Sequence, residues 1–277
     1  GNGAGIDAAS NWPGSLYTLG DGNRIEGNYI GTSADGSGAL GNGAVRQNTT
    51  GGIIISDLNL GAGTLTIGGT TAGAGNLIAG NKGSGIVVRS DDFSRPSGMV
   101  VVQGNRIGTN AAGTAANPNQ GDGIYQESFT LPLMVGGTSA AARNLISGNL
   151  GSGIAGGSYY GMALFQGNYI GTDITGTLPL GNGKHGILAT ATGAQIGDPA
   201  MADGGNLIAF NTLNGIGVTG DVGNRISRNS IFSNGGLAID LGNNGVTPND
   251  AGDPDTGPNN LQNYPVLTGH GIAGGNA

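Results

Sequence analysis

Asp122 and Glu127 bracket Tyr125 in the run Asp122-Gly123-Ile124-Tyr125-Gln126-Glu127. Two carboxylates beside an aromatic ring are the equipment of glycosidic-bond hydrolysis, provided the carboxyls stand about 5 to 10 Å apart. A second grouping joins Asp91-Asp92 to Arg89 and Arg106. It fits β-elimination, in which a basic side chain removes an α-proton while a cation held by acids neutralises a uronate carboxylate. A third run, Asn249 to Asn259, places Asp250, Asp253 and Asp255 at near-alternate positions among Gly and Pro. Hard cations favour such oxygen-rich turning loops, so Ca²⁺ is the candidate ion, although the closing bidentate Glu of an EF-hand is missing. Asp173 and His185 bound one loop-like segment, and Tyr29, Tyr125 and Tyr169 offer flat faces for sugar rings. These five are the candidate substrate-binding residues. The competing reading of the acids is solvated charge at strand edges and ordinary turn chemistry.

Whatever holds these residues is repetitive. Seven Asn-x-Ile triplets begin at Asn28, Asn76, Asn105, Asn144, Asn168, Asn206 and Asn229, the closest 23 and 24 residues apart. A Gly-Ile pair follows ten residues after Asn76, Asn144 and Asn206, with Ala238-Ile239 in that place after Asn229. A period of this size marks a stacked solenoid. Each coil divides into three short extended pieces: an upstream one (Leu65–Ile67, Val100–Val102, Ala163–Phe165), the triplet, and the Gly-Ile piece (Ile53–Ile55, Ile86–Val88, Ile216–Val218). Such pieces are too short for helical periodicity. Stacked at about 4.8 Å per layer, seven to eight coils make an all-β rod with three parallel sheets, on the order of 35 Å long. One domain over 1–277 is expected, with caps at 1–20 and 242–277.

The coils alternate. Odd coils read Gly-Asn-x-Ile-Gly-Thr at 27–32, 104–109 and 167–172, then insert roughly 33–51, 110–122 and 173–185 before the Gly-Ile piece. Even coils place a shorter insertion before the Asn, at 71–75, 139–143 and 199–205. The triplet Ile should face the core and the residue before it should face out, so Tyr29, Leu77, Arg106, Leu145, Tyr169 and Leu207 form one outward stripe. Stacked Asn side chains can satisfy the polar groups of a buried bend. A second Asn column, Asn81, Asn149, Asn211 and Asn234, lies five residues on. Neither the position two before each odd-coil Asn (Glu26, Gln103, Gln166) nor the one after the core Ile, whose acids Asp7 and Asp240 lie at the two ends, pairs two acids in neighbouring coils.

Gly167-Asn168-Tyr169-Ile170-Gly171-Thr172-Asp173 and Asn144-Leu145-Ile146-Ser147-Gly148-Asn149 resemble the parallel β-helix repeats of large bacterial secreted and cell-surface proteins, within the pectate-lyase-like superfamily. The resemblance runs along nearly the whole chain. It implies a right-handed parallel β-helix, an extracellular or cell-surface location, and a role with carbohydrate or a surface. That superfamily holds lyases, hydrolases, epimerases, tailspikes and adhesins, so fold alone does not choose among them. The Asp-Pro-His-Asp signature of the epimerases does not occur here.

Composition narrows the classes. Glycine supplies 61 of 277 residues without a Gly-X-Y period, and charged residues are only 10%, which fits tight turns rather than collagen or a charge-extended chain. A net charge of −7 argues against nucleic acid and anionic membranes as partners. The apolar runs are too short to span a bilayer. The absence of Cys removes disulfides and thiol chemistry. A chain opening on Gly1 is expected to be a segment of something longer. Two readings follow: a non-catalytic module touching polysaccharide or a cell-surface glycan, and a polysaccharide hydrolase or lyase with a groove along the rod.

Overall fold

A computed structural model describes residues 4–9, 21–43, 50–56, 60–90, 98–128, 130–159 and 162–266. The chain winds as a right-handed parallel β-helix. Its strands collect into one eight-stranded and two seven-stranded sheets, every neighbour parallel and one coil away in sequence. The eight-stranded sheet holds the Gly-Ile strands, from Ala4–Ala9 through Ser84–Ser90 and Ile124–Ser128 to Ile239–Leu241. A second sheet holds the upstream strands, such as Thr64–Gly68 and Met99–Gln103, and the third holds the triplets.

Side-chain alternation sorts the interior. The triplet isoleucines Ile30, Ile78, Ile107, Ile146, Ile170 and Ile208 join Ile53, Ile86, Ile124, Ile154, Ile187 and Ile216 in one continuous core. β-Branched residues suit this work, because stiff side chains on a pleated surface lose little freedom when buried.

Two asparagine ladders flank the triplet sheet. In the first, Asn28, Asn76, Asn105, Asn144, Asn168, Asn206 and Asn229 each pass an Nδ2–H to the Oδ1 of the next, at 2.9–3.0 Å. Each Oδ1 also takes the backbone N–H of the Asn before it. The second ladder is longer than the column expected from sequence: it runs Asn42, Asn81, Asn119, Asn149, Asn182, Asn211 and Asn234.

The three added members come from odd coils, and they redefine the insertions. Asn28 to Asn42, Asn105 to Asn119 and Asn168 to Asn182 are each fourteen residues, against five in even coils. Every odd coil therefore inserts the same nine residues between its two ladder asparagines. The unequal length expected before the Gly-Ile strand comes from the first odd coil alone, where Asn42 to Ile53 is eleven residues against five from Asn119 to Ile124 and from Asn182 to Ile187. Each insertion is a small hairpin closed by an antiparallel bridge: Thr32 with Ala39, Thr109 with Ala116, Thr172 with Pro179. Gly36, Gly113 and Gly176 hold the same left-handed turn position, with φ of 72°, 72° and 76°. A side chain there would also strike what lies beneath; a Cβ on Gly113 would sit 2.9 Å from Leu145 Cδ2. The hairpins thus lie flat on the rod.

Candidate functional site

The Gly-Ile strands end at a corner where the chain turns toward the upstream sheet, and here the register gathers chemistry that spacing alone kept apart. Ser56, Arg89 and Glu127 occupy successive strands at one level. Two residues earlier, Ile54, Val87 and Tyr125 form the next outward column, with Tyr125 packed on a small apolar cluster outside the core. The Tyr125 hydroxyl donates to Glu127 Oε2 at 3.3 Å, and Arg89 Nε donates to Ser56 Oγ at 3.1 Å. Neighbouring strands place Arg89 and Glu127 about 4.8 Å apart at the backbone. Among the described residues the one ion pair is Arg24 with Glu26, so these opposite charges stand side by side unpaired. Arg89 was expected to serve with Arg106 and Glu127 with Asp122. The pairing of Arg89 with Glu127 depends on the 38-residue coil offset between their strands.

Asp122 and Glu127 are not brought together. Glu127 lies near the end of the strand Ile124–Ser128, and Asp122 precedes that strand across a bend at Gly123. Asp122 instead caps the next coil, accepting the Ser152 N–H at 2.6 Å. Burial raises its pKa, and the Ser152 N–H and the Lys184 charge pull it partly back. Asp91 and Asp92 lie outside the described residues. They follow Ser90, the last residue of a strand paired with that of Glu127. Arg106 is on the triplet sheet, a different sheet from Arg89.

The outward stripe exists as a continuous column from Tyr29 through Leu77, Arg106, Leu145 and Tyr169 to Leu207. It is not a continuous exposed surface. Leu77 and Leu145 are only 3% and 2% exposed, because the hairpins cover them. Tyr29, at one end, remains 51% exposed. Tyr169 is half-buried, with the Arg143 guanidinium 4.1 Å above its ring and Gly176 of the third hairpin beside it. Asp173 opens that hairpin and serves it: its Oδ1 accepts the Thr175 hydroxyl and the N–H groups of Thr177 and Leu178. Burial works to raise the Asp173 pKa, but these hydrogen bonds outweigh it and hold the carboxyl below its usual range. Ser33 and Asn110 do the same job in the other two hairpins.

His185 lies at the opposite end of its insertion from Asp173, and is buried. It belongs to a polar file at the start of the Gly-Ile strands, with Ser152 one coil before it and Asn214 one coil after. Burial lowers its pKa, the Asp240 charge opposes that, and Lys184 adds to it.

The acidic loop past residue 249 is tied to the chain following it. Asn249 exchanges hydrogen bonds with the Tyr264 backbone, Asp250 with the Asn263 side chain, and Asp253 Oδ1 accepts the Asn263 N–H. Asp250 and Asp253 are exposed and Asp255 half-buried. Among the described residues no three His, Asp or Glu side chains converge as a metal ion would need. Further along, Asn259 grips Asn224 in both directions, folding residues 242–266 under the last coil. Between them lies a cavity of about 750 Å³ lined by Ile226, Ile239, Leu241, Val246 and Tyr264 among others.

Comparison of the chain with protein-family models, characterised proteins and solved structures gives no match.

Proposed function

We propose that this chain is an extracellular β-helix module of a bacterial surface or secreted protein, of the pectate-lyase-like type. In this reading it holds carbohydrate at the corner formed by Arg89, Tyr125 and Glu127 without cleaving it. The observation carrying the reading is the unpaired juxtaposition of Arg89 and Glu127 beside a tyrosine seated on its own apolar platform. A guanidinium fork, a carboxylate and a flat ring together can donate to, accept from and stack on a sugar. Parallel strands on both sides hold them within one sheet, where a weak ligand loses little binding energy to ordering.

A second reading, a polysaccharide hydrolase or lyase, draws on one specific feature. Asp91-Asp92 follow in sequence the strand Ser84–Ser90, which pairs with the strand of Glu127, and are the acids from which this reading draws the second carboxylate that Asp122 does not supply. The two readings part on turnover. Incubation with pectin, alginate, cellulose and xylan is expected to release neither reducing ends nor unsaturated uronates. Release that disappears in Glu127→Gln or Asp92→Ala would replace the binding reading with the catalytic one.

A further inference from the structure

The polar file at the start of the Gly-Ile strands ends on the cap. His185 is 6% exposed, and its Nδ1 is buried without a hydrogen-bond partner. In the next coil Asn214 donates to Asp240 Oδ2 at 2.9 Å and accepts the Leu237 N–H at 2.8 Å. Asp240 in turn accepts the backbone N–H groups of Asn244 and Gly245, where the chain leaves the last coil to form the cap. His185, Asn214, Asp240 and Gly245 therefore form a line from the middle of the rod to the wall of the apolar end cavity.

We propose that His185 is a proton-operated latch: neutral, it lets the last coils close, and protonated, it loosens them and widens the apolar cavity at the rod's end, which is already open to solvent at Val246 and Tyr264. An imidazolium donates from both ring nitrogens. Here Nδ1 faces no acceptor, so the charged ring must either stay buried with an unmet donor or draw in water between the coils. The charged groups facing it are Lys184, which repels the cation, and Asp240, which attracts it; Asp240 already accepts bonds from Asn214, Asn244 and Gly245. Asp122, two coils before it in the file, is partly buried, and its pKa is raised.

The sign follows from linkage. A histidine whose folded pKa lies below its unfolded value near 6.5 leaves stability intact above that value and removes it as pH falls. Once pH is below both values, the unfolding constant rises tenfold for each unit of separation. Asp122, with its raised pKa, works the opposite way: its contribution is present at low pH and lost as pH rises through its folded value.

The test compares the wild-type chain with His185→Asn, which places the residue of the next coil at this position. His270→Gln is the control, since it removes the other histidine. Urea midpoints and binding of a hydrophobic dye are read from pH 7.5 to pH 5. Wild type and His270→Gln should lose midpoint and gain dye fluorescence on acidification, while His185→Asn should lose less and gain less; carboxylate effects cancel in the difference. Equal pH dependence in all three overturns the latch. If His185→Asn does not fold, hydrogen exchange on wild type decides: the Gly153 amide, which donates to the His185 carbonyl, should exchange faster below pH 6 relative to the Gly85 amide. Unchanged relative protection also overturns it.

Discussion

Replacing Asn144 with Ala tests how the ladder supports the rod. Asn144 is fully buried at the centre of the first ladder. Its Oδ1 accepts the Asn105 N–H and Nδ2–H at 3.0 Å each, and its Nδ2 donates to the Val102 carbonyl at 2.8 Å and to Asn168 Oδ1 at 2.9 Å. The Asn105 amide would keep the Ile67 and Gln103 carbonyls, and Asn168 Oδ1 would keep the Asn144 N–H. The Asn105 N–H and Val102 carbonyl would lose their side-chain partner inside the rod. At about 1–3 kcal/mol for each such group, plus about 1 kcal/mol for the bonds that are only redistributed, the cost is about 3–7 kcal/mol. Asn229, half-buried in the last coil, makes comparable bonds, but water can replace them, so Asn229→Ala should cost about half as much. Asn144→Asp should be worse than Ala, since it removes the same donors and buries a charge. Urea unfolding followed by circular dichroism gives the ranking. Coils of a solenoid can open separately, so exchange of the Asn105 amide checks the effect locally. Equal costs for Asn144→Ala and Asn229→Ala, or a central cost below about 0.5 kcal/mol, would refute the reasoning.

Two further outcomes follow from the hairpins. Leu145→Ala empties a site roofed by the second hairpin and should cost about 2–4 kcal/mol; Tyr29→Ala, half-exposed in the same column, should stay under about 1 kcal/mol, both read as urea midpoints. Asp173→Asn should flatten acid sensitivity. Its lowered folded pKa means the carboxylate stabilises above the unfolded value and that stability is lost as pH falls through the folded one, so wild type should approach the variant's melting temperature at a pH below the carboxyl's folded value. A difference that persists unchanged at that pH would remove the hairpin-capping role.

The fold was legible because one short pattern repeats. An Asn, an outward residue and an inward Ile at each triplet, with Gly-Ile ten residues later in even coils, define sheets and parallel register before any tertiary contact is known. The odd-coil members of the second ladder were hidden because nine inserted residues displace Asn42, Asn119 and Asn182 from the five-residue offset. Aligning Gly31, Gly108 and Gly171 with the glycines five later, at Gly36, Gly113 and Gly176, would have exposed the constant length. The cover over Leu77 and Leu145 was not readable, since a hairpin of small residues can project or lie flat, and only the left-handed glycine turn and its contacts decide. The candidate site was legible in part. Tyr125 with Glu127 is a local period-two pair, but Arg89 beside Glu127 depends on a loop of variable length between strands, which spacing does not fix. Asp122 and Asp173 read as chemistry because carboxylates that cap backbone N–H groups look, in sequence, the same as carboxylates that face a substrate.

Binding at the corner patch is the most direct test of the proposed role. Titration calorimetry of the wild-type chain against soluble pectin, alginate and xylan oligosaccharides should give saturable heat with at least one of them. Arg89→Ala and Tyr125→Ala should each weaken that binding about tenfold or more, while Tyr29→Ala on the far sheet leaves it unchanged. Binding that survives both corner substitutions, or that is lost with Tyr29 instead, would contradict the assignment of the corner as the carbohydrate-contacting site.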